Sequence, residues 1–117
     1  MVPPIFDLGL ETAFHADGFV TVERLIPEHV LSPLHERFDG LFRGVFETGG
    51  APDEVNWQDG AGDPTLTRQI CNGWKADRLG AAVVLSERLG EALARLAGWP
   101  GARSSQDNLL RKPPGAR

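Results

Sequence analysis

Three histidines, one cysteine and sixteen carboxylates are the side chains from which this 117-residue chain must build any metal or acid–base centre. A ferrous site of the two-histidine, one-carboxylate kind needs its donors to converge from one side, leaving the other positions open. Two of those donors commonly arrive as His-x-Asp on a strand, where residues i and i+2 share a face. That tripeptide occurs once here, at His15-Ala16-Asp17. It falls at the end of a short helical stretch and on an Asp-Gly turn, where side chains two apart diverge by about 200°. Asp17 is therefore expected as a turn residue and His15 as a solvated helix residue. His29 and His35 point away from each other around one helix and find no carboxylate partner. Cys71 and the scattered histidines match no zinc spacing. The residues supply neither a metal site nor a catalytic group of their own.

Other chemistries leave no signature. Gly60-Ala61-Gly62 lies in a polar loop without the further glycine and helix start of a phosphate-binding turn. No Gly-x-Ser-x-Gly elbow is present.

The positioning elements follow from periodicity. Glu11 to Ala16 reads as a short helix stopped by Asp17-Gly18. Phe19-Val20-Thr21-Val22 has the aromatic and β-branched character of a strand. Leu31, Leu34, Phe38, Leu41, Phe42 and Val45 recur at three- and four-residue steps and define one face of a long helix. Pro27 suits its first turn. Pro33 implies either a kink or a restart with Ser32 as N-cap. Gly49-Gly50 closes the segment, and residues 51–64 read as an exposed loop. Thr65 to Cys71 reads as a strand closed by Asn72-Gly73. Asp77 and Ser86 are N-caps for two further helices, the second with a Leu89, Leu93, Leu96 stripe and Gly98 just past its end. Ser104 to Arg111 reads as a last strand. Its two-residue period puts Gln106, Asn108 and Leu110 on one face and Ser105, Asp107, Leu109 and Arg111 on the other.

This is an α+β pattern: a helical layer with two or three short strands, and apolar stripes that need more cover than those strands supply. Hydrophobic residues make up 41% of the chain, enough for a globular core. The net charge of −4 with no basic block argues against nucleic acid and against an anionic membrane surface. A single cysteine forbids an internal disulfide and fits a reducing cytoplasm. Met1-Val2-Pro3-Pro4 has neither the charged nor the apolar region of a signal peptide. No apolar run reaches the roughly 20 residues of a membrane span. A cytoplasmic, water-soluble protein is the expectation.

Two stretches resemble the phytanoyl-CoA dioxygenase family. The first is Phe14-His15-Ala16-Asp17-Gly18-Phe19-Val20-Thr21-Val22, with a helix after Ile26-Pro27. The second is Gln106-Asp107-Asn108-Leu109-Leu110-Arg111-Lys112-Pro113-Pro114-Gly115. In the family a strand of this type exits through Lys-Pro-Pro-Gly, and the iron-binding His-x-Asp follows a few residues later. The resemblance covers nearly all of residues 1–117 but only about the first half of a family member. It implies a helical layer and the first strands of a double-stranded β-helix (jelly roll, cupin-like), incomplete in this chain. It also implies a non-haem Fe(II)- and 2-oxoglutarate-dependent dioxygenase acting on a small molecule or acyl derivative. The iron ligands and the basic residue that clamps the 2-oxoglutarate tail would lie beyond Arg117. The chain alone is thus expected to be inactive and to bind neither cofactor tightly.

By position in the family, Gln106 and Asn108 correspond to co-substrate contacts, since amides hydrogen-bond to carboxylate or keto oxygens. Otherwise they are ordinary polar residues on a solvent face. Arg68 is the best match to a basic residue that meets 2-oxoglutarate from the preceding strand, or else a surface arginine. Lys112 would steer an anionic substrate or simply mark the turn. Trp74, with Trp57, would line the substrate entrance or serve as packing. The competing reading is a non-catalytic interaction module, or a decayed oxygenase, that associates through its uncovered apolar helix faces.

Overall fold

The computed structural model describes residues 7–116; the Met1–Pro4 start and Arg117, on which two of the sequence readings fall, lie outside them. Among the described residues, four α-helices and a three-stranded antiparallel sheet make a mixed α+β fold. Helix α1 spans Leu8–Asp17, longer than the sequence suggests, because the Asp7 carboxylate caps it by accepting from Leu10 N at 2.8 Å. Gly18 ends it with φ 80°, a left-handed value that glycine adopts without steric cost.

Residues Phe19–Val22 are not a strand, contrary to the expectation. Their side chains have strand character, but a strand needs a neighbour to satisfy its ladder, and no segment pairs with this one among the described residues. Phe19 is left exposed.

Helix α2, Glu28–Phe42, carries the clearest stripe. Pro27 stands at its N-cap, and the proline carbonyl accepts from Val30 N and Leu31 N, both at 2.9 Å. The helix runs on through Pro33 instead of restarting at Ser32. Leu34, Leu41 and Phe42 are buried and Phe38 is half-buried, but Leu31 lies 45% exposed. The helix stops at Phe42, well before Gly49-Gly50, because Gly44 takes φ 78° and turns the chain; Val45 falls outside it.

The sheet consists of β1 (Glu54–Val55), β2 (Arg68–Cys71) and β3 (Asn108–Arg111), in that spatial order. Both outer strands are short. Residues 65–67 are diverted from β2 because Asp63 accepts from Thr65 N at 2.9 Å and Thr65 Oγ1 at 2.7 Å, a local turn that competes with the ladder. The start of β3 is set by Asn72. Its own N–H donates to the Asp107 carbonyl at 2.9 Å, and its Oδ1 accepts from Asp107 N at 3.1 Å. Residues 104–106 precede that junction and stay outside the strand.

One sheet face meets the helices. Ile70 is fully buried and clusters with Leu41, Phe42, Trp57 and Ala76; Phe38, Phe46 and Leu109 pack around them. Burial of a side chain like Ile70 is worth about 1.5–3 kcal/mol. Beyond the sheet, a 3-10 turn at Gly73–Lys75 leads to α3, Arg78–Val84. Asp77 caps α3 through Gly80 N at 2.9 Å, as its position suggests. Ser86 caps α4, Glu87–Ala97, through Leu89 N at 3.2 Å, and Gly98 ends it at φ 75°. Within the expected stripe of α4, Leu96 is buried and Leu89 half-buried, while Leu93 is exposed. Glu47 ties α2 to α3: it pairs with Arg37 and accepts from Arg78 N at 3.0 Å.

Candidate functional site

Strand register sorts the expected site residues onto two faces. In β2 and β3, Arg68 stands opposite Arg111, Gln69 opposite Leu110, Ile70 opposite Leu109 and Cys71 opposite Asn108. Directly opposed residues in an antiparallel pair share a face. Ile70 and Leu109 face the helices, so Arg68 and Arg111 do too. Gln69, Cys71, Asn108 and Leu110 face the other way.

That outer face carries an amide patch. Asn108 Oδ1 accepts from Gln69 Nε2 at 3.1 Å and from Gln106 Nε2 at 3.4 Å. All three residues are exposed. Gln106 and Asn108 are thus together, as the period-two reading has them. Gln69 joins them and was not singled out from the sequence. Extending the same alternation across β2 would have found it, had the strand's true start at Arg68 been legible. Amides supply both donors and acceptors but no charge, so this patch can orient a carboxylate or carbonyl without neutralising it.

Arg68 is not part of that patch. Its guanidinium lies 3.7 Å from the centroid of the Trp57 ring, on the helix side. Trp57 is itself buried, edge-to-face with Phe42, and its Nε1–H donates to the Asp63 carbonyl at 2.8 Å. The Gly60-Ala61-Gly62 loop wraps this indole: a Cβ on Gly62 would come within 2.5 Å of Trp57 Cδ1. Glycine serves close packing there. Trp57 is therefore part of the buried core, the packing alternative of the sequence reading.

Trp74 is half-buried in the 3-10 turn, with Lys75 Nζ 5.8 Å from its ring. The N–H groups of Gly73 and Trp74 donate to Asp107, while burial pushes the Asp107 carboxyl above the usual range against them. Lys112 is exposed and borders a cavity of about 440 Å³ between α2 and β3, which His35 and Asp107 also line. Asp107 is the titratable group that sequence reading passed over; nothing in its spacing distinguishes it from a strand-end polar residue.

The metal the resemblance implies finds no donor set here. Among the described residues no three His, Cys, Asp or Glu side chains gather in a group able to hold an ion. His15 and Asp17 sit on the last turn of α1, and His29 and His35 are exposed on α2. These residues do not fit iron. For 2-oxoglutarate the amide patch fits part of the task, oxygen recognition without charge. Also among the described residues, no helix is long and apolar enough to cross a membrane.

The chain matches no protein-family model, no curated protein and no solved structure.

Proposed function

We propose that this chain is the N-terminal portion of a phytanoyl-CoA-dioxygenase-like oxygenase, dependent on Fe(II) and 2-oxoglutarate, in the cytoplasm. The supporting observation is the two-sided sheet. Helices cover one face, and the other presents Asn108 of β3, Gln69 of β2 and the preceding Gln106 as one exposed patch, beside the strand that leads into Lys112-Pro113-Pro114-Gly115. In a jelly roll of this family that outer face would become the inner wall, and the amides would orient the 2-oxoglutarate oxygens. Iron, when bound, would supply oxygen activation; its ligands and the cation for the distal carboxylate would come from other residues. The second substrate is a small molecule or acyl derivative, and neither nucleic acid nor membrane is the partner.

Succinate formation from 2-oxoglutarate with added Fe(II) tests this. Residues 1–117 alone should form none, whereas the polypeptide translated through the coding DNA downstream should. In the longer chain Asn108→Ala should raise KM for 2-oxoglutarate about tenfold, the loss of one hydrogen bond to a charged group. Robust turnover by residues 1–117, or none by the longer chain, contradicts the proposal.

A second reading has its own observation. Leu85, Leu93 and Trp99 are exposed beside one another around a cavity of about 670 Å³ at α3 and α4. A non-catalytic module would associate through such a face. Sedimentation of the chain separates the two: a stable dimer that Trp99→Ser dissolves favours the module.

A further inference from the structure

The helix-facing side of the sheet holds a second feature, independent of the proposed co-substrate patch. Arg68 and Arg111 are directly opposed across the β2–β3 ladder. Like charges so placed repel each other unless something compensates. For Arg111 the compensation is visible: it pairs with Asp39 of α2. For Arg68 no ion pair is seen among the described residues. Its guanidinium face rests on Trp57 at 3.7 Å. Among the described residues its hydrogen bonding is a single long contact, from Nη2 to the Pro64 carbonyl at 3.5 Å. Its Nε is buried and, among the described residues, has no hydrogen-bond partner. Buried donors in folded proteins are satisfied in the great majority of cases, and an exception calls for a partner.

Arg68 opens on a cavity of about 140 Å³ that Arg43 and Arg111 also line. Asp39 and Asp59 complete the charged lining, so three guanidiniums against two carboxylates leave one net positive charge. Asp39 is already committed to Arg111. Arg68 Cζ lies over the indole at 3.7 Å, and the guanidiniums of Arg68, Arg43 and Arg111 around the cavity are the donors that would receive an oxyanion.

We infer that Arg68, flanked by Arg43 and Arg111 above the Trp57 ring, is a binding site for one small oxyanion of phosphate or acetate size. The volume suits several waters or one such ion, and the site lies across the sheet from Asn108, away from the proposed co-substrate wall. A bound oxyanion would relieve the Arg68–Arg111 repulsion and clamp β2 to the end of α2 through Arg43.

The test uses the whole 117-residue chain carrying Trp74→Phe and Trp99→Phe, so that Trp57 alone reports. Inorganic phosphate and, separately, acetate are titrated at constant ionic strength held by chloride. At least one of them should change the Trp57 emission saturably at millimolar concentration. Arg68→Gln should weaken that binding about tenfold or more, as expected for a charge-assisted hydrogen bond. The exposed Arg43→Gln should weaken it severalfold with the fold intact by circular dichroism, which keeps the test decisive if Arg68→Gln unfolds. No saturable change with either ion, or the same affinity in Arg43→Gln and every folded Arg68 variant, overturns the inference. Adding 2-oxoglutarate at the same concentration should leave phosphate binding unchanged. Displacement would assign Arg68 to the co-substrate instead, overturning this site while sparing the oxygenase reading.

Discussion

Arg68 and Asn108 lie on opposite faces of the same three-stranded sheet: Arg68 opposes Arg111 on the face of Ile70, and Asn108 opposes Cys71 on the other. The resemblance groups both residues around one co-substrate, whereas the register gives them different neighbours. Asn108 belongs with two glutamines in solvent, and Arg68 with an indole and two more arginines near the core.

The two faces should respond differently to truncation. Ile70 is fully buried, so Ile70→Ala should destabilise the chain by about 2–5 kcal/mol in urea unfolding. Asn108→Ala, at an exposed position, should stay within about 0.5 kcal/mol. Comparable losses from the two would mean that the outer face is also packed.

Gly62 is held against Trp57, where a Cβ would stand 2.5 Å from Cδ1. Gly62→Ala must push the indole or the loop aside, a form of overpacking that costs about 1–3 kcal/mol. Denaturant midpoints measure the loss, and a shifted Trp57 emission should accompany it. A silent Gly62→Ala would place the loop away from the ring.

Helix capping offers a separate test. Asp77 is buried, accepts from Gly80 N at 2.9 Å and lies 3.7 Å from Arg37 Nε. Asp77→Ala should cost about 1–2 kcal/mol, and Asp77→Asn should recover most of the capping share. Equal loss from both would assign the effect to the Arg37 ion pair.

Acid should unfold the chain through three carboxylates. The Arg78 N–H and then the Arg37 and Arg78 guanidiniums hold Glu47 below the usual glutamate range. Lys75 and Asn72 do the same for Asp53, and Thr65 for Asp63. A carboxyl whose pKa is lower folded than unfolded binds fewer protons in the native state. Its stabilisation is present above the unfolded pKa, about 4, and is lost as pH falls through the folded value. Asp107, raised by burial, runs the other way: its ionisation opposes folding as pH rises above about 4. Stability measured from pH 6 to pH 2 should therefore drop below about pH 4. Glu47→Gln should flatten part of that drop, and an unchanged profile would contradict the Glu47 link between α2 and α3.

Much of the helical frame was legible because caps and stripes are local. Asp77, Ser86 and Gly98 mark their helix ends by residue type alone, and the α2 stripe correctly names Leu34, Leu41 and Phe42 as core. Strands were harder because pairing is not local. Phe19–Val22 has the side chains of a strand but no partner among the described residues, and Asp63 diverts residues 65–67 through a side-chain turn. Within the candidate site, alternation along the expected Ser104–Arg111 strand placed Gln106 and Asn108 together, and they do meet although Gln106 lies before β3. The β2 register, which separates Arg68 from them and adds Gln69, depends on the cross-strand ladder and leaves no mark in sequence.

The oxygenase reading is tested most directly by sequencing the coding DNA past the codon for Arg117 and translating it in every frame. The account expects a His-x-Asp a few residues beyond Lys112-Pro113-Pro114-Gly115, followed by a distal histidine and a basic residue. A downstream sequence without that tripeptide in any frame would contradict it.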